Sequence, residues 1–322
     1  MGADRPGDAD MPPDDRPDRR DDQDGTGDHA GRGGNDPAET RTRQEYYSEL
    51  RMTVSREESA VARQITAEER AAAEKWQETS AESRWMWSEY QRKWPPAERS
   101  SADRSTEPSD SWRGDRGRSL DNADNSRVEA ECDHISRREE DRISPAMRSV
   151  ESQDPDRQLV GFEHRLKDRD RIKEKVCDKM EEFSWSAEEA VSAVSDTIRY
   201  TFQYREARYT QGVWTDLERL KGEGFKLHQL KNSWSSEEYK GINSQWIEPG
   251  TGQRFEVQFH TRISFEAKQL THDAYERLRT QQADEFEKMV LKAFQRKVSA
   301  EVPVPPGAAD IPDYSERDAD AR

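Results

Sequence analysis

Phe255-Glu256-Val257-Gln258-Phe259-His260-Thr261 alternates without a break between large apolar and polar side chains. Neighbouring side chains on a strand point to opposite faces, so Phe255, Val257 and Phe259 belong to a core. Glu256, Gln258 and His260 then share a face free for chemistry. Glu248-Pro249-Gly250-Thr251-Gly252 is a turn signal, and Tyr239 to Ile247 before it has strand character, so the two runs form a hairpin. A lone strand of this kind is ordinarily half-buried with a solvated polar face. Matching polar groups upstream raise it above that reading.

Composition limits what surrounds this hairpin. Of 322 residues only 31% are hydrophobic and 37% are charged, too polar for one core to run the whole length. The expected organisation is a disordered 1–40, a polar helical segment 41–94, a disordered linker 95–130, a folded domain 131–299 and a disordered tail 300–322. A net charge of −16 argues against DNA or an anionic membrane as partner, while leaving room for a local basic pocket. No apolar run approaches the roughly 18–20 residues of a membrane span, and the first residues lack the apolar segment of a signal peptide. The expectation is a soluble cytoplasmic protein. Cys132 and Cys177 form no CxxC pair and read as packing residues.

Capping-box spacings at Ser55/Glu58 and Thr66/Glu69, with Ala71 to Lys75, mark the helical segment. Its aromatic group, Trp76, Trp85, Trp87, Tyr90 and Trp94, fits docking on the domain, docking on a partner, or a solvated helix. Val128, Ile135, Ile143, Met147 and Val150 suggest helices that lead into the domain. A strand from Leu159 into Lys167, helices over Asp168–Met180 and Ser186–Ala193, and a strand over Val194–Tyr204 follow. Tyr209, Val213, Leu217 and Leu220 recur at helical spacing, and Gly224 closes that helix. A strand over Phe225–Lys231, the hairpin, and helices over Ser264–Arg279 and Ala283–Lys297 complete the domain. The fold class is α/β (α+β), a mixed sheet of about five strands flanked by helices.

Four constellations could carry chemistry. Arg165 and Lys167 share strand parity, and Arg171 and Lys175 share a helix face, so a strand-to-helix turn could aim all four at one phosphate. By itself this segment reads equally as a solvated basic helix. Asp196 and Glu256, on neighbouring strands, would offer a divalent cation two carboxylates, and Glu256 could instead serve as a general base. Lys231 opens a polar loop that leads to Tyr239-Lys240-Gly241-Ile242-Asn243, where a flat base could stack on the tyrosine and bond to Asn243. Lys268, His272, Tyr275 and Arg279 form a polar stripe on the following helix.

In this order the pieces resemble the RelA/SpoT-type (p)ppGpp synthetase domain, in its small alarmone synthetase and toxin-like branch. Arg165-Leu166-Lys167 with Arg171-Ile172 and Lys175 is similar to the family's Arg-x-Lys…Ser-Ile-x-x-Lys segment, which grips ATP. Asp196 falls where the family keeps a magnesium-binding Asp. Tyr239-Lys240-Gly241-Ile242-Asn243 resembles its Gly-Tyr-x-Ser-Leu-His loop. Glu256 to Thr261 resembles Glu-Ile-Gln-Ile-Arg-Thr, and His272 and Tyr275 match a later His-x-x-Tyr. Three positions depart: Arg171 stands for the family's Ser, Thr201 for an Arg, and His260 for the Arg of the last motif. Arg199, two residues before Thr201, is the expected replacement for the missing arginine.

The resemblance implies a nucleotidyltransferase-like synthetase fold and a GTP diphosphokinase-like enzyme using Mg²⁺. Arg165, Lys167, Arg171 and Lys175 would bind ATP, and Asp196 and Glu256 the metal. Glu256, Asp196 and Arg199 would be catalytic. Tyr239, Asn243, Lys231, Gln258, His260, His272 and Tyr275 would receive the acceptor. The acceptor would be GDP or GTP, with adenine nucleotides or the 3′ end of tRNA as alternatives, and an antitoxin or homo-oligomer as a further partner. A non-catalytic module that binds nucleotide, or a partner through the tryptophan-rich helix, is the rival of another class.

Overall fold

The computed structural model describes residues 65–95, 111–114, 117–279 and 283–316, all within one compact unit of the chain. The expected disordered 1–40, residues 41–64 of the helical segment and 317–322 lie outside the described residues, as do 96–110 and 115–116 of the linker.

The alternation at Phe255 to Thr261 works as the sequence implied. Strand β7 (Gln253–Thr261) buries Phe255, Val257 and Phe259 completely. It lies parallel to β4 (Arg199–Tyr204) on one side and antiparallel to β6 (Ile242–Glu248) on the other. Outward from β6 runs β5 (Lys226–Asn232), and outward from β4 runs β3 (Arg157–Leu159). A sixth strand, β8 (Tyr314–Ser315), pairs with β5, so the mixed sheet reads β3-β4-β7-β6-β5-β8 rather than five strands.

That last strand corrects the expected disorder from residue 300, at least as far as Glu316. Val302, Ala308 and Ile311 are buried, and the Asn232 side-chain amide donates to the Ala308 and Ile311 carbonyls at 2.8 and 2.7 Å. The segment also covers the otherwise open edge of β5. A second correction concerns the start of the domain. Trp112 and Leu120 are buried on a small hairpin, β1 (Trp112–Arg113) with β2 (Ser119–Leu120), and Asp121 caps helix α2 (Asn122–Arg138). The folded unit therefore includes part of the expected linker.

A π-helical turn, Glu139–Ile143, and helix α3 (Ser144–Ser152) complete the lead-in, with Pro145 in the first turn of α3. The expected strand from Leu159 to Lys167 is interrupted. Gly161 takes a left-handed conformation at φ 63°, a 3₁₀ turn follows at Phe162–His164, and only Leu166 makes a bridge, to Ile198. Helices α4 (Arg169–Phe183) and α5 (Ala187–Ser192) follow, α5 opened by a Ser186/Glu189 capping box. Helix α6 (Tyr209–Gly222) buries Tyr209, Val213, Leu217 and Leu220, the four residues whose spacing announced it. Helices α7 (Arg262–Arg279) and α8 (Glu285–Ala300) close the domain.

The tryptophan-rich segment forms helix α1 (Ile65–Lys93), and α1 docks on α7 and α8. Trp76 is buried and donates to Glu266 at 2.7 Å; Trp87 stacks on Tyr90 and on Phe294, with ring centres 4.7 and 5.4 Å apart. Trp85 faces outward, 62% exposed. Both cysteines are free thiols, Cys132 in the core. No helix among the described residues is long and apolar enough to cross a membrane.

Candidate active site

Strand pairing sets the frame. Arg199 lies opposite Glu256, Thr201 opposite Gln258 and Gln203 opposite His260, while Asn243 pairs with Gln258 and Lys231 with Asn243. Opposed residues share a sheet face, so Thr201, Gln258, Asn243 and Lys231 form one polar row across four strands. Arg199 and Glu256 begin the next.

Asp196 precedes β4, and the chain before α4 is laced to the same place. Lys167 donates its backbone N–H to Thr197, and Arg199 donates its own to Arg165. Lys167 is thereby set beside Asp196, its Nζ 2.7 Å from the carboxylate. Lys175, in the second turn of α4, donates to both Asp196 oxygens at 2.9 Å. The Arg199 guanidinium reaches Asp196 at 3.0 Å with one nitrogen and lies 3.2 Å from Glu256 with another. Burial by itself would raise the Asp196 pKa, but Lys175, Lys167 and Arg199 hold it well below the usual carboxylate range. Burial brings the Lys167 ammonium down to about 8 against the attraction of Asp196. The Glu256 charge is the largest influence on Arg199 and raises its pKa.

The other two expected phosphate ligands have carboxylate partners elsewhere. Arg165 stacks over Phe162, 4.6 Å from the ring centre, and its Nε donates at 2.7 Å to Glu139, which is fully buried in the π-helical turn. Tyr200 donates to the same oxygen at 2.5 Å. Arg171 bonds to Glu174 at 2.9 Å. Of the four cations, Lys167 and Lys175 meet at Asp196.

The β6 side is built from neutral groups. Tyr239 donates to Asn243 at 2.9 Å, and its hydroxyl lies 2.9 Å from His260 Nε2; His260 Nδ1 lies 2.9 Å from the Ser264 hydroxyl. A neutral His260 protonated on Nε2 fits these three contacts, with the hydrogen bonds running Ser264 to His260 to Tyr239 to Asn243. Its setting favours that state: burial, and then Lys268, push the imidazole pKa well below its ordinary value. Gly241 is required against it. Its φ is +153°, and a Cβ there would sit 2.6 Å from His260 Cε1.

Lys268 joins the two sides. It donates to Gln258 Oε1, and Gln258 Nε2 donates to Glu256. Burial, then Arg199, lowers its ammonium to about 8, with Glu256 opposing. The sequence showed Lys268 only as one member of a helical stripe; its reach to Gln258 depends on how α7 crosses β7. Tyr275 is 53% exposed on α7; partial burial raises its phenol pKa, ahead of the charges of Arg279 and Glu276. His272 is exposed on α7, and Lys231 is exposed at the far end of the polar row.

Among the described residues there is no cluster of three or more metal-ligating side chains. Asp196 and Glu256, both in contact with Arg199, are the two carboxylates this face would offer a magnesium ion. Mg²⁺ commonly takes one or two carboxylates and completes its shell with water and substrate phosphate.

No family model matches the sequence, and no curated protein matches it. Solved structures are similar to it over part of its length. Small alarmone synthetase 1 from Bacillus subtilis is 13% identical, with 39% of this chain and 66% of that chain covered and a TM-score of 0.30. A GTP pyrophosphokinase family protein from Streptococcus pneumoniae is 15% identical over 52% of this chain and 84% of that one, with a TM-score of 0.36. The type VI effector Tas1 in complex with its immunity protein gives 14% identity, 54% and 93% coverage, and a TM-score of 0.32.

Proposed function

We propose that this chain is a pyrophosphotransferase that moves the β,γ-diphosphate of ATP to the 3′-hydroxyl of a GDP- or GTP-like nucleotide. The carrying observation is the junction of Asp196, Arg199 and Glu256 at one edge of the polar face, with Lys167 and Lys175 on Asp196. This group can hold a polyphosphate beside a carboxylate able to take a proton. A neutral aromatic wall, Tyr239 in the loop before β6 braced by His260 of β7, lies on the other side.

Lys167 and Lys175 hold the phosphate oxygens, and Arg199 holds the diphosphate that is transferred. Glu256 accepts the proton of the attacking hydroxyl. The new bond joins that oxygen to the β-phosphorus, and the bond from the β-phosphorus to the oxygen bridging to the α-phosphorus breaks, its electron pair leaving on AMP. Gln258, held by Lys268, fixes the Glu256 carboxylate through the amide it donates. Tyr239 offers its ring to the acceptor base, and Asn243 anchors the tyrosine hydroxyl. Asp196 and Glu256 would hold magnesium, which would supply neutralisation of the charge that develops on the transferred group. The remaining work is positioning and fixed electrostatics.

The test uses the full chain, because a piece cut at 131–299 would divide α2 and remove β8. γ-Labelled ATP with Mg²⁺ is offered GDP, GTP, ATP or tRNA separately. Label should pass to GDP or GTP, and Glu256→Gln should reduce transfer by about 10²–10³-fold while ATP still binds. Transfer to tRNA alone would move the acceptor to RNA. ATP binding with no transfer to any acceptor would overturn the proposal in favour of a binding module.

A further inference from the structure

Arg199 does more than the catalytic role expected of it. Its guanidinium lies between the two carboxylates that the proposed function assigns to the metal, 3.0 Å from Asp196 and 3.2 Å from Glu256. Asp196 is also engaged on both oxygens by Lys175 and on one by Lys167. Three cations therefore already face two carboxylates. Lys268 stands behind them, bonded through Gln258 to Glu256. A divalent cation arriving alone would enter a region with surplus positive charge and would have to displace a guanidinium from both oxygen ligands at once. A nucleoside triphosphate carrying the same cation brings more negative than positive charge. Its phosphates also give Lys167, Lys175 and Arg199 new partners of the geometry they prefer.

We propose that Arg199 is a built-in counter-ion that holds the Asp196–Glu256 site closed to free divalent metal, so that metal enters only as its complex with the nucleotide. The proposal rests on the reading of Asp196 and Glu256 as the metal carboxylates. It adds an order of events: the nucleotide draws Arg199 off the carboxylates as the ion takes its place. The arrangement depends on Arg199 standing opposite Glu256 in the β4–β7 register, three residues after Asp196. Arg199 is thus a positioning residue for the metal as well as a ligand for the diphosphate.

Metal uptake tests this without any turnover. Mn²⁺ is titrated with the full-length protein and its free-ion electron paramagnetic resonance signal is followed. In parallel, equilibrium dialysis measures binding of α,β-methylene-ATP with and without Mn²⁺. Wild type should leave free Mn²⁺ essentially unbound, and Mn²⁺ should tighten binding of the analogue. Arg199→Gln should bind Mn²⁺ alone about tenfold or more tightly than wild type, and adding Asp196→Asn should remove that gain. Lys268→Met, which deletes a nearby charge without opening the space between the carboxylates, should change Mn²⁺ uptake much less. The proposal falls if wild type takes up Mn²⁺ as tightly as Arg199→Gln, or if Lys268→Met produces the same gain. It falls too, together with the metal assignment, if neither protein binds Mn²⁺ and the analogue ignores the ion. Absence of diphosphate transfer with the expected Mn²⁺ pattern would count against the proposed reaction alone. The wild-type arm stands even if a variant folds poorly.

Discussion

The two ends of the polar face are built on opposite principles. At the β4 end, Lys167, Lys175 and Arg199 crowd Asp196 and Glu256, and the contacts among these five are ionic. At the β6 end, Ser264, His260, Tyr239 and Asn243 form a chain of neutral hydrogen bonds closed over Gly241. Flexible cations that exchange one oxygen partner for another suit a substrate that is all charge. A fixed ring on a packed imidazole suits a flat, neutral surface. The first end should therefore tolerate changes of shape and respond to charge; the second should do the reverse.

Shape is tested most severely at Gly241. A side chain there meets both an unfavourable φ of +153° and the His260 ring at 2.6 Å. Gly241→Ala should cost about 2–4 kcal/mol of stability from backbone strain and overpacking together. Thermal unfolding would measure the loss. If the comparison holds, the surviving folded protein binds ATP normally and shows a raised KM for the acceptor. Loss of ATP affinity to the same degree would mean that the two ends are one mechanical unit.

Acidification separates the ends by charge. The His260 pKa is depressed by burial and by Lys268, so the unfolded chain takes up a proton there before the folded one does. Stability linked to His260 is intact above the ordinary histidine value of about 6.5 and is lost as pH falls below it, by at most about 1.4 kcal/mol per pH unit. Asp196 is also depressed, from 3.8, so its contribution is present above that value and fails only in stronger acid. Between these limits thermal stability should fall with pH while ATP affinity of the folded protein holds. His260→Gln, which cannot gain the proton, should flatten the dependence of the unfolding temperature on pH; an unchanged acid limb in that variant would exclude His260 as its source.

What the sequence disclosed follows the same division. The β7 alternation and the α6 periodicity depend on short spacings that a one-dimensional reading can follow, whereas Lys167 and Lys175, read as ligands of one phosphate, meet at Asp196 only through the fold. Arg165 was expected beside them. Its capture by Glu139 requires a π-helical turn to bury a carboxylate 26 residues away, and nothing local announces that. Strand β8 has two residues and owes its existence to the β5 edge and to Asn232, so a proline-rich, polar composition concealed it. The aromatic residues of α1 were conspicuous, but only the packing of Trp76 and Trp87 against α7 and α8 distinguishes their inward face from the outward Trp85.

Lys268 was hidden for a related reason, and it gives the smallest and most specific test. The ammonium dictates which way round the Gln258 amide lies. With Oε1 turned to Lys268, Nε2 must face Glu256; the flipped amide would set its oxygen against the carboxylate. Lys268→Met should slow transfer several-fold, about 1 kcal/mol, chiefly in kcat. If Lys268 acts only through the amide, the same substitution in a Gln258→Ala background should add nothing, leaving a coupling energy equal to the whole single-variant effect. Additive losses would instead place Lys268 in direct contact with a substrate. The charged end of the face would then extend across β7 and take in part of what is described above as its neutral partner.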